Sequence, residues 1–184
     1  EVYKSDIKIE VFTTRPDTIF GATFLTVAPE YKSVNNLITI DKAEIASDYI
    51  KKSSLKSNRD RISNVKLISG VFTGSYAIHP FSKEKLPVWI SDYVIGDYGT
   101  GAVMAVPCGD QRDFEFANFF KIKIINIFDG IDVSEKAYTQ KDSVKLKNSS
   151  FLDGLNYNDS LKKVIEKLEE IGSGKSKINF KLRD

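Results

Sequence analysis

A mixed α/β fold rich in β-strands is predicted by two features of the sequence. Short apolar or alternating runs of strand length recur along the chain, and close turns separate them. Longer stretches repeat their apolar residues at helical spacing. Many short strands with close turns are typical of a barrel or a sandwich. A chain of 184 residues, 41% of them hydrophobic, is long enough for one domain with a sizeable core.

Seven stretches have the pattern of a strand. Alternation or short apolar runs mark residues 7–12, 20–27 with a bend at Gly21, 71–76, 88–94, 102–106, 122–128 and 177–182. Residues 122–128 are apolar almost throughout, which indicates a strand covered on both faces.

Four helices are predicted between these strands. They cover residues 29–36 beginning at Pro29, 42–52 capped by Asp41, 111–120 capped by Asp110, and a last helix capped by Asn158 or Asp159 that ends near Gly172. Residues 53–64 and 129–150 are polar and are expected to form surface loops.

The junction Gly99-Thr-Gly-Ala-Val-Met-Ala-Val-Pro-Cys-Gly-Asp-Gln-Arg-Asp113 is the most informative stretch of the chain. It runs from a glycine turn through an apolar strand to the start of a helix, and ligand sites are often built at such junctions. Asp110 can accept hydrogen bonds from the free N–H groups of the first turn, and Asp113 lies where the helix dipole favours an anion. Capping alone is the ordinary use of such residues and remains an alternative at this point.

The sequence lacks residues that a nucleotide-binding kinase, a zinc site or a Ser-His-Asp triad would need. There is no glycine-rich phosphate loop and no Cys-x-x-Cys pair, and His79 is the single histidine. We interpret His79 as structural and the lone Cys108 as a small residue in a tight turn. One cysteine excludes an internal disulfide and fits a reducing cytosol. No apolar run approaches a membrane span, and a net charge of +2 does not demand a nucleic-acid partner.

Two motifs together resemble one family. Thr13-Thr-Arg-Pro-Asp-Thr18, followed by Gly99-Thr-Gly-Ala-Val-Met-Ala-Val-Pro107 and Asp110-Gln-Arg-Asp-Phe-Glu-Phe-Ala117, is similar to the editing domain of a bacterial-type leucyl-tRNA synthetase. The resemblance extends over essentially the whole chain. The ATP-binding signatures of the synthetase are missing from this sequence. The resemblance therefore implies that residues 1–184 are a single editing domain, which is an insertion from a larger class I enzyme. Such a domain cannot aminoacylate by itself.

This resemblance implies a β-barrel core with peripheral helices and a post-transfer editing activity in the cytoplasm. The reaction is hydrolysis of the ester that joins norvaline, isoleucine or a similar amino acid to tRNA(Leu). Binding alone separates amino acids that differ by one methylene only about 10–200-fold, so a second, hydrolytic site is needed. The implied partners are the aminoacylated 3′ end of tRNA(Leu), its terminal adenosine and the rest of the synthetase chain. Boron-containing adenosine adducts are expected in the same pocket. No metal or cofactor is implied in this domain, since ATP and Mg belong to the full-length synthetase.

Residue roles follow from the resemblance. Asp113 matches the carboxylate that holds the α-ammonium of the substrate, and Thr18 matches the steric gate against leucine. The remaining matched positions are Thr13, Thr14 and Arg15 around the ester, Met104 and Val106 in the pocket wall, Ile95 and Tyr98 near the terminal adenosine, and Gly101 and Asp110 at the pocket boundary. With no side-chain nucleophile evident, direct attack by an ordered water is expected.

The chain departs from the family pattern at one position, and two alternatives to the editing function stay open. Gly109 stands where the family usually has a histidine, so no role of that histidine can be carried over. A tRNA-docking module that has lost its chemistry is one alternative. A generic hydrolase that uses Asp110 and Asp113 as an acid/base or metal pair is the other.

Overall fold

Four short strands form one mixed sheet in the computed structural model, which describes residues 1–63, 67–97, 99–141 and 143–177. The strands are β1 (Phe24–Val27), β2 (Val71–Ile78), β3 (Lys85–Ile90) and β4 (Ala102–Ala105). Their order is β2-β3-β1-β4, with β1 parallel to β3 and the other neighbours antiparallel. The predicted α/β class is confirmed.

The expected barrel is not found. Within the described residues β2 and β4 are the two edges of the sheet, so the sheet is open. Two stretches predicted as strands, residues 7–12 and 122–128, have no strand structure apart from one isolated bridge between Phe128 and Leu146. Near residue 128 the Asn126 side chain forms hydrogen bonds with backbone groups that a strand would pair with its neighbour. Asn126 accepts from the Phe128 N–H at 2.9 Å and donates to the Ile131 carbonyl at 2.7 Å.

The described part of the chain contains five α-helices. They are α1 (Val34–Leu37), α2 (Ala43–Ser54), α3 (Asn58–Ser63), α4 (Gln111–Phe119) and α5 (Tyr157–Glu170), and 3₁₀ helices cover Pro16–Gly21, Ile40–Lys42 and Ser150–Leu152. The predictions for α2, α4 and α5 are confirmed to within two residues at each end. None of the helices described is long and apolar enough to cross a membrane.

Several predicted boundaries and caps are wrong. The helix predicted from Pro29 begins only at Val34, because the residues between them form turns. Asp41 lies inside a 3₁₀ helix and does not cap α2, and the side-chain cap of α5 is Asn156. The strand predicted over residues 20–27 begins only at Phe24, because Phe20 and Gly21 belong to the 3₁₀ helix that begins at Pro16.

The two predicted surface loops contribute to the interior. Residues 53–64 contain α3, whose Arg61 is buried. Residues 129–150 bring Val133, Ala137 and Leu146 into the core, where apolar burial outweighs the polar composition of the stretch. Most of the strand predicted over residues 177–182 lies outside the described residues.

The core is divided by the two faces of the sheet. Leu25 and Val27 of β1 pack with Val88 and Ile90 of β3 on one face. On the other face Phe24 stacks on Phe116 of α4, with ring centroids 5.1 Å apart. This second contact fixes α4 against the sheet, so the first turn of α4 is held beside the end of β4.

Candidate functional site

The junction between β4 and α4 is a tight turn. The N–H groups of Gly109 and Asp110 both donate to the Val106 carbonyl at 2.9 Å. Asp110 then caps α4, because its Oδ1 accepts from the N–H groups of Arg112 at 2.9 Å and Asp113 at 3.2 Å. The capping interpretation of Asp110 is therefore confirmed, and its side chain is exposed.

Asp113 has a different environment. Only 6% of the residue is exposed, its Oδ2 accepts from the Val106 N–H at 2.8 Å, and its Oδ1 accepts from the Tyr93 hydroxyl at 2.8 Å. Burial raises the pKa of Asp113 to about 7, and the charge of Asp110 adds to that rise. Asp113 is therefore a buried carboxylate that joins α4 to the end of β4, which a helix cap alone does not explain.

The two motifs that are distant in sequence meet along β4. A Cβ on Gly99, just before β4, would lie 3.0 Å from the Cβ of Phe12. A Cβ on Gly21 would lie 3.0 Å from both Val106 and Cys108, just after β4. The segment between Phe12 and Gly21 therefore has one end at each end of β4.

This segment, which carries the threonine-rich motif, is held in place by its own hydrogen bonds. The Arg15 N–H donates to Thr13 Oγ1 at 3.0 Å, and the Arg15 guanidinium bonds the buried Asp17 carboxylate at 2.9 to 3.2 Å. The Thr18 hydroxyl donates to the Arg15 carbonyl at 2.9 Å, and Thr18 is 2% exposed. Thr14 is exposed. Of the three matched threonines, Thr14 has the side chain most open to solvent.

The other sequence-predicted residues divide between the two ends of β4. Met104 and Val106 pack in one apolar cluster with Ile19 from the 3₁₀ helix that bears Thr18. Gly101 lies at the far end, with φ of +71° and its carbonyl accepting from the Ala28 N–H at 2.8 Å. Ile95 precedes that turn and is partly buried. Tyr98 lies outside the described residues.

Comparison with known proteins identifies the family. A family model described as leucyl-tRNA synthetase, editing domain, matches residues 1–169. The chain belongs to the leucyl-tRNA synthetase editing-domain family.

Individual relatives of this editing domain agree with the family match. It is 58% identical to a leucine–tRNA ligase of Flavobacterium johnsoniae and 53% identical to one of Christiangramia forsetii, in both cases over 100% of this chain. The chain spans 20% and 19% of those relatives. It is also similar to the agnB2 LeuRS of Agrobacterium radiobacter K84, solved in a ternary complex with tRNA and LeuAMS. That likeness has a TM-score of 0.71 at 29% identity and covers 95% of this chain and 18% of the other.

The hydrogen bonds and burial of His79, and the burial of Cys108, indicate that both residues have a structural role in the editing domain. The Nδ1 of buried His79 accepts from the N–H groups of Phe81 and Ser82, and its Nε2 lies 3.0 Å from the Ile19 carbonyl. Burial lowers the pKa of His79, so the ring is neutral with its proton on Nε2. Burial also raises the pKa of the Cys108 thiol to about 11, which disfavours the thiolate.

In residues 1–63, 67–97, 99–141 and 143–177, no group of three or more His, Cys, Asp or Glu side chains could hold a metal ion. The carboxylates of Asp110 and Asp113 each accept a hydrogen bond from a backbone N–H group.

Sequence reasoning missed one residue that touches the site. Tyr93 donates to Asp113 and lies at the end of a stretch predicted only as a strand. That strand ends earlier, at Ile90, and a turn follows in which the Val94 N–H donates to the Ser91 carbonyl. No local pattern in the sequence indicates that Tyr93 meets a carboxylate 20 residues away.

Proposed function

We propose that this chain carries the post-transfer editing site of a leucine–tRNA ligase. In this proposal it hydrolyses the ester that joins norvaline, isoleucine or a similar amino acid to tRNA(Leu). The observation that carries the proposal is the buried Asp113 carboxylate beside the segment that bears Thr18, in a member of the editing-domain family. We take residues 1–184 as one domain of that longer cytoplasmic enzyme.

Asp113 is proposed to bind the α-ammonium of the misattached amino acid. Each of its oxygens retains a lone pair after the bonds to Val106 and Tyr93. A cation is the favourable partner for a carboxylate held out of water, and a charge-assisted hydrogen bond there also fixes the position of the ester carbonyl.

The Thr18 side chain is proposed to exclude leucine by the volume that it occupies in the pocket. Ile19, the next residue in the 3₁₀ helix, packs in one apolar cluster with Met104 and Val106, so a γ-branched side chain beside Thr18 would be crowded against an apolar wall. Thr13, Thr14 and Arg15 would surround the ester and the terminal ribose. Their polar groups would orient the attacking water and polarise the carbonyl, helped by the neighbouring ribose hydroxyl.

The terminal adenosine is proposed to occupy the other end of β4. Ile95 and Gly101 would lie near the base, with Asp110 at the opposite boundary of the pocket. Four strand residues at roughly 3.3 Å each separate the two ends by about 13 Å, a length that an amino-acid ester and an adenosine can span together. Boron-containing compounds that bridge the ribose diol would bind at the same place.

Other partners belong to the longer enzyme in this proposal. The A. radiobacter relative was solved with tRNA, which supports tRNA as the macromolecular partner here. ATP and Mg would serve aminoacylation elsewhere in the full-length ligase, and the editing reaction itself would need no cofactor.

The test is deacylation by the full-length ligase that contains this chain. Norvalyl-tRNA(Leu) and isoleucyl-tRNA(Leu) should be hydrolysed, and leucyl-tRNA(Leu) should be spared. Binding of mischarged tRNA without turnover would instead support the docking module, for which Gly109 is the specific observation. Loss of hydrolysis with a chelator would support a metal pair at Asp110 and Asp113.

A further inference from the structure

We propose that Tyr93 is a positioning residue that holds the Asp113 carboxylate ionised and oriented toward the ammonium group of the substrate. This inference rests on the proposed function, because it assigns to Asp113 the role of ammonium ligand. It concerns a residue that does not itself touch the substrate.

The contact between the two side chains is short and defined. Tyr93 Oη lies 2.8 Å from Asp113 Oδ1 and 3.3 Å from Thr26 Oγ1. An ionised carboxylate can only accept, so the tyrosine hydroxyl donates a hydrogen bond to Asp113. The ring of Tyr93 packs against Phe116 of α4 with centroids 5.6 Å apart, so the ring is fixed by the same helix that carries Asp113.

The backbone on both sides of Tyr93 is pinned by a buried arginine. Arg61 donates from Nε to the Asp92 carbonyl at 2.8 Å and from Nη2 to the Val94 carbonyl at 2.7 Å, and its Nη1 pairs with Glu30. The Arg61 side chain is 1% exposed. Because these two carbonyls bracket Tyr93, the arginine limits movement of that residue.

The Asp92 side chain adds a second anchor on the same turn. Its carboxylate accepts from Lys56 Nζ at 2.6 Å and from Ser69 Oγ at 2.8 Å. The turn that carries Tyr93 is therefore tied to α3 through Arg61, to Lys56 just before α3, and to Ser69 just before β2. Such a network is suited to holding one hydroxyl at one position.

Opposing effects on the pKa of Asp113 explain why the hydrogen bond from Tyr93 affects its charge. Burial and the charge of Asp110 raise the pKa of Asp113, whereas the Val106 N–H, the Tyr93 hydroxyl and Arg112 lower it. The charge of Asp113 contributes to the raised pKa of the Cys108 thiol, which is uncharged at neutral pH. The charged groups that line the cleft next to Tyr93 are Lys56, Asp60, Arg61, Asp92, Arg112 and Glu115.

Asp113 is thus close to balance between its two protonation states near neutral pH. A protonated carboxyl has no charge with which to bind an ammonium ion. Removal of the Tyr93 hydroxyl would shift Asp113 toward that protonated form, because a donated hydrogen bond favours the carboxylate. The effect on editing should therefore depend on pH in a way that a packing defect would not.

The experiment compares Tyr93→Phe with wild type in the full-length ligase. The ratio of kcat/KM for the variant to that of wild type, on norvalyl-tRNA(Leu), is measured from about pH 5.5 to about pH 8.5. Using this ratio cancels the titration of the substrate's own α-ammonium. We expect a ratio of about one tenth at the acid end, rising toward one at the alkaline end, since a hydrogen bond to a charged group shifts its pKa by about one unit or more.

Matched variants separate the possible outcomes. Tyr76→Phe removes a hydroxyl from a tyrosine exposed on β2, and its ratio should stay near one at every pH. A Tyr93→Phe ratio that is uniformly low, or uniformly near one, would overturn the positioning role. Absence of hydrolysis by wild type, or full activity in Asp113→Asn, would instead overturn the proposed function and with it this inference.

Discussion

Asp110 and Asp113 lie in the same helical turn and use their carboxylates in opposite ways. Asp110 is exposed and accepts from two N–H groups of its own helix, whereas Asp113 is buried and bonds the end of β4 and Tyr93. The Asp113 N–H is itself one of the groups that Asp110 caps. One residue therefore stabilises the helix end, and this leaves the other carboxylate available for a site.

Replacing Asp113 by asparagine should remove its charge and keep its contacts. The amide oxygen can accept from the Val106 N–H while the amide nitrogen donates to Tyr93, whose hydroxyl then accepts. Deacylation of norvalyl-tRNA(Leu) should fall on the order of 10²-fold in kcat/KM, since a hydrogen bond between charged groups is lost. Circular dichroism and thermal unfolding should show an intact fold.

Asp113→Ala is a poorer test of the same role. It leaves the Val106 N–H without its acceptor, which costs about 1–3 kcal/mol for a buried group, and it leaves the Tyr93 hydroxyl with only the longer contact of 3.3 Å to Thr26 Oγ1. Asp110→Asn is the matched control, because asparagine caps helices about as well as aspartate. Its editing rate should remain within a few-fold of wild type. An equal loss in both variants would contradict the separate roles of the two residues.

The sequence predicts the parts of this fold that have strong local patterns. The strand at residues 102–106, the cap at Asp110 and the helix after it were all recognisable from apolar periodicity and capping chemistry. Residues 7–12 and 122–128 have strand-like patterns as well, but no strand in the described part of the chain pairs with them along their length. Alternation predicts which face is buried and does not supply a pairing partner.

The sequence predicts the two motifs of the candidate site but not the contacts that other residues make with them. The threonine-rich motif and the β4–α4 junction were both identified, and the structure places the segment between Phe12 and Gly21 along β4, with Gly21 beside the junction. The roles of Tyr93 and Arg61 depend on contacts made across 20 and more residues. Arg61 lies in a polar stretch with the composition of a surface loop, so its burial follows only from tertiary packing.

His79 should make stability depend on pH. Its pKa is lowered in the folded state from the ordinary value of 6.5, because burial disfavours the charged ring. The unfolded chain therefore binds a proton first as the pH falls below 6.5, and stability contributed by neutral His79 is lost with falling pH in that window. Urea unfolding of wild type and His79→Gln between about pH 7.5 and pH 5 measures this effect.

The difference between the two proteins is the informative quantity. At the alkaline end His79→Gln should be less stable by about 1–3 kcal/mol, because two backbone N–H groups lose their acceptor. That difference should shrink toward the acid end, whereas groups titrating in both proteins, Asp113 among them, cancel. A difference that does not change with pH would contradict a buried neutral histidine.

Gly21 should tolerate no side chain. A Cβ there would meet Val106 and Cys108 at 3.0 Å and Ile127 at 3.2 Å, all inside the core. Gly21→Ala should lower the free energy of unfolding by about 1–3 kcal/mol through overpacking. Gly109→Ala is the control, since its nearest neighbour would be 3.4 Å away, and it should change stability little. Equal stability of the two variants would show that the 3₁₀ helix moves freely relative to β4.

Thr18 should exclude leucine by its volume. Thr18→Ala frees the space of a methyl and a hydroxyl beside an apolar cluster, so the ligase should begin to hydrolyse leucyl-tRNA(Leu) while keeping its activity on norvalyl-tRNA(Leu). A change of this kind in an apolar pocket is worth about 1–3 kcal/mol, or roughly 10–200-fold in rate on leucine. The measurement is deacylation of correctly charged tRNA(Leu) at equal enzyme concentrations.

Thr18→Val separates volume from hydrogen bonding. Valine keeps the branched shape and loses the hydroxyl that donates to the Arg15 carbonyl at 2.9 Å. If volume alone forms the gate, Thr18→Val should spare leucyl-tRNA(Leu) as wild type does, even where its stability is lower because that buried bond is missing. If both variants hydrolyse leucyl-tRNA(Leu), the hydroxyl must be closing the gate by holding the 3₁₀ helix. If neither does, discrimination lies elsewhere in the wall, at Met104 or Val106.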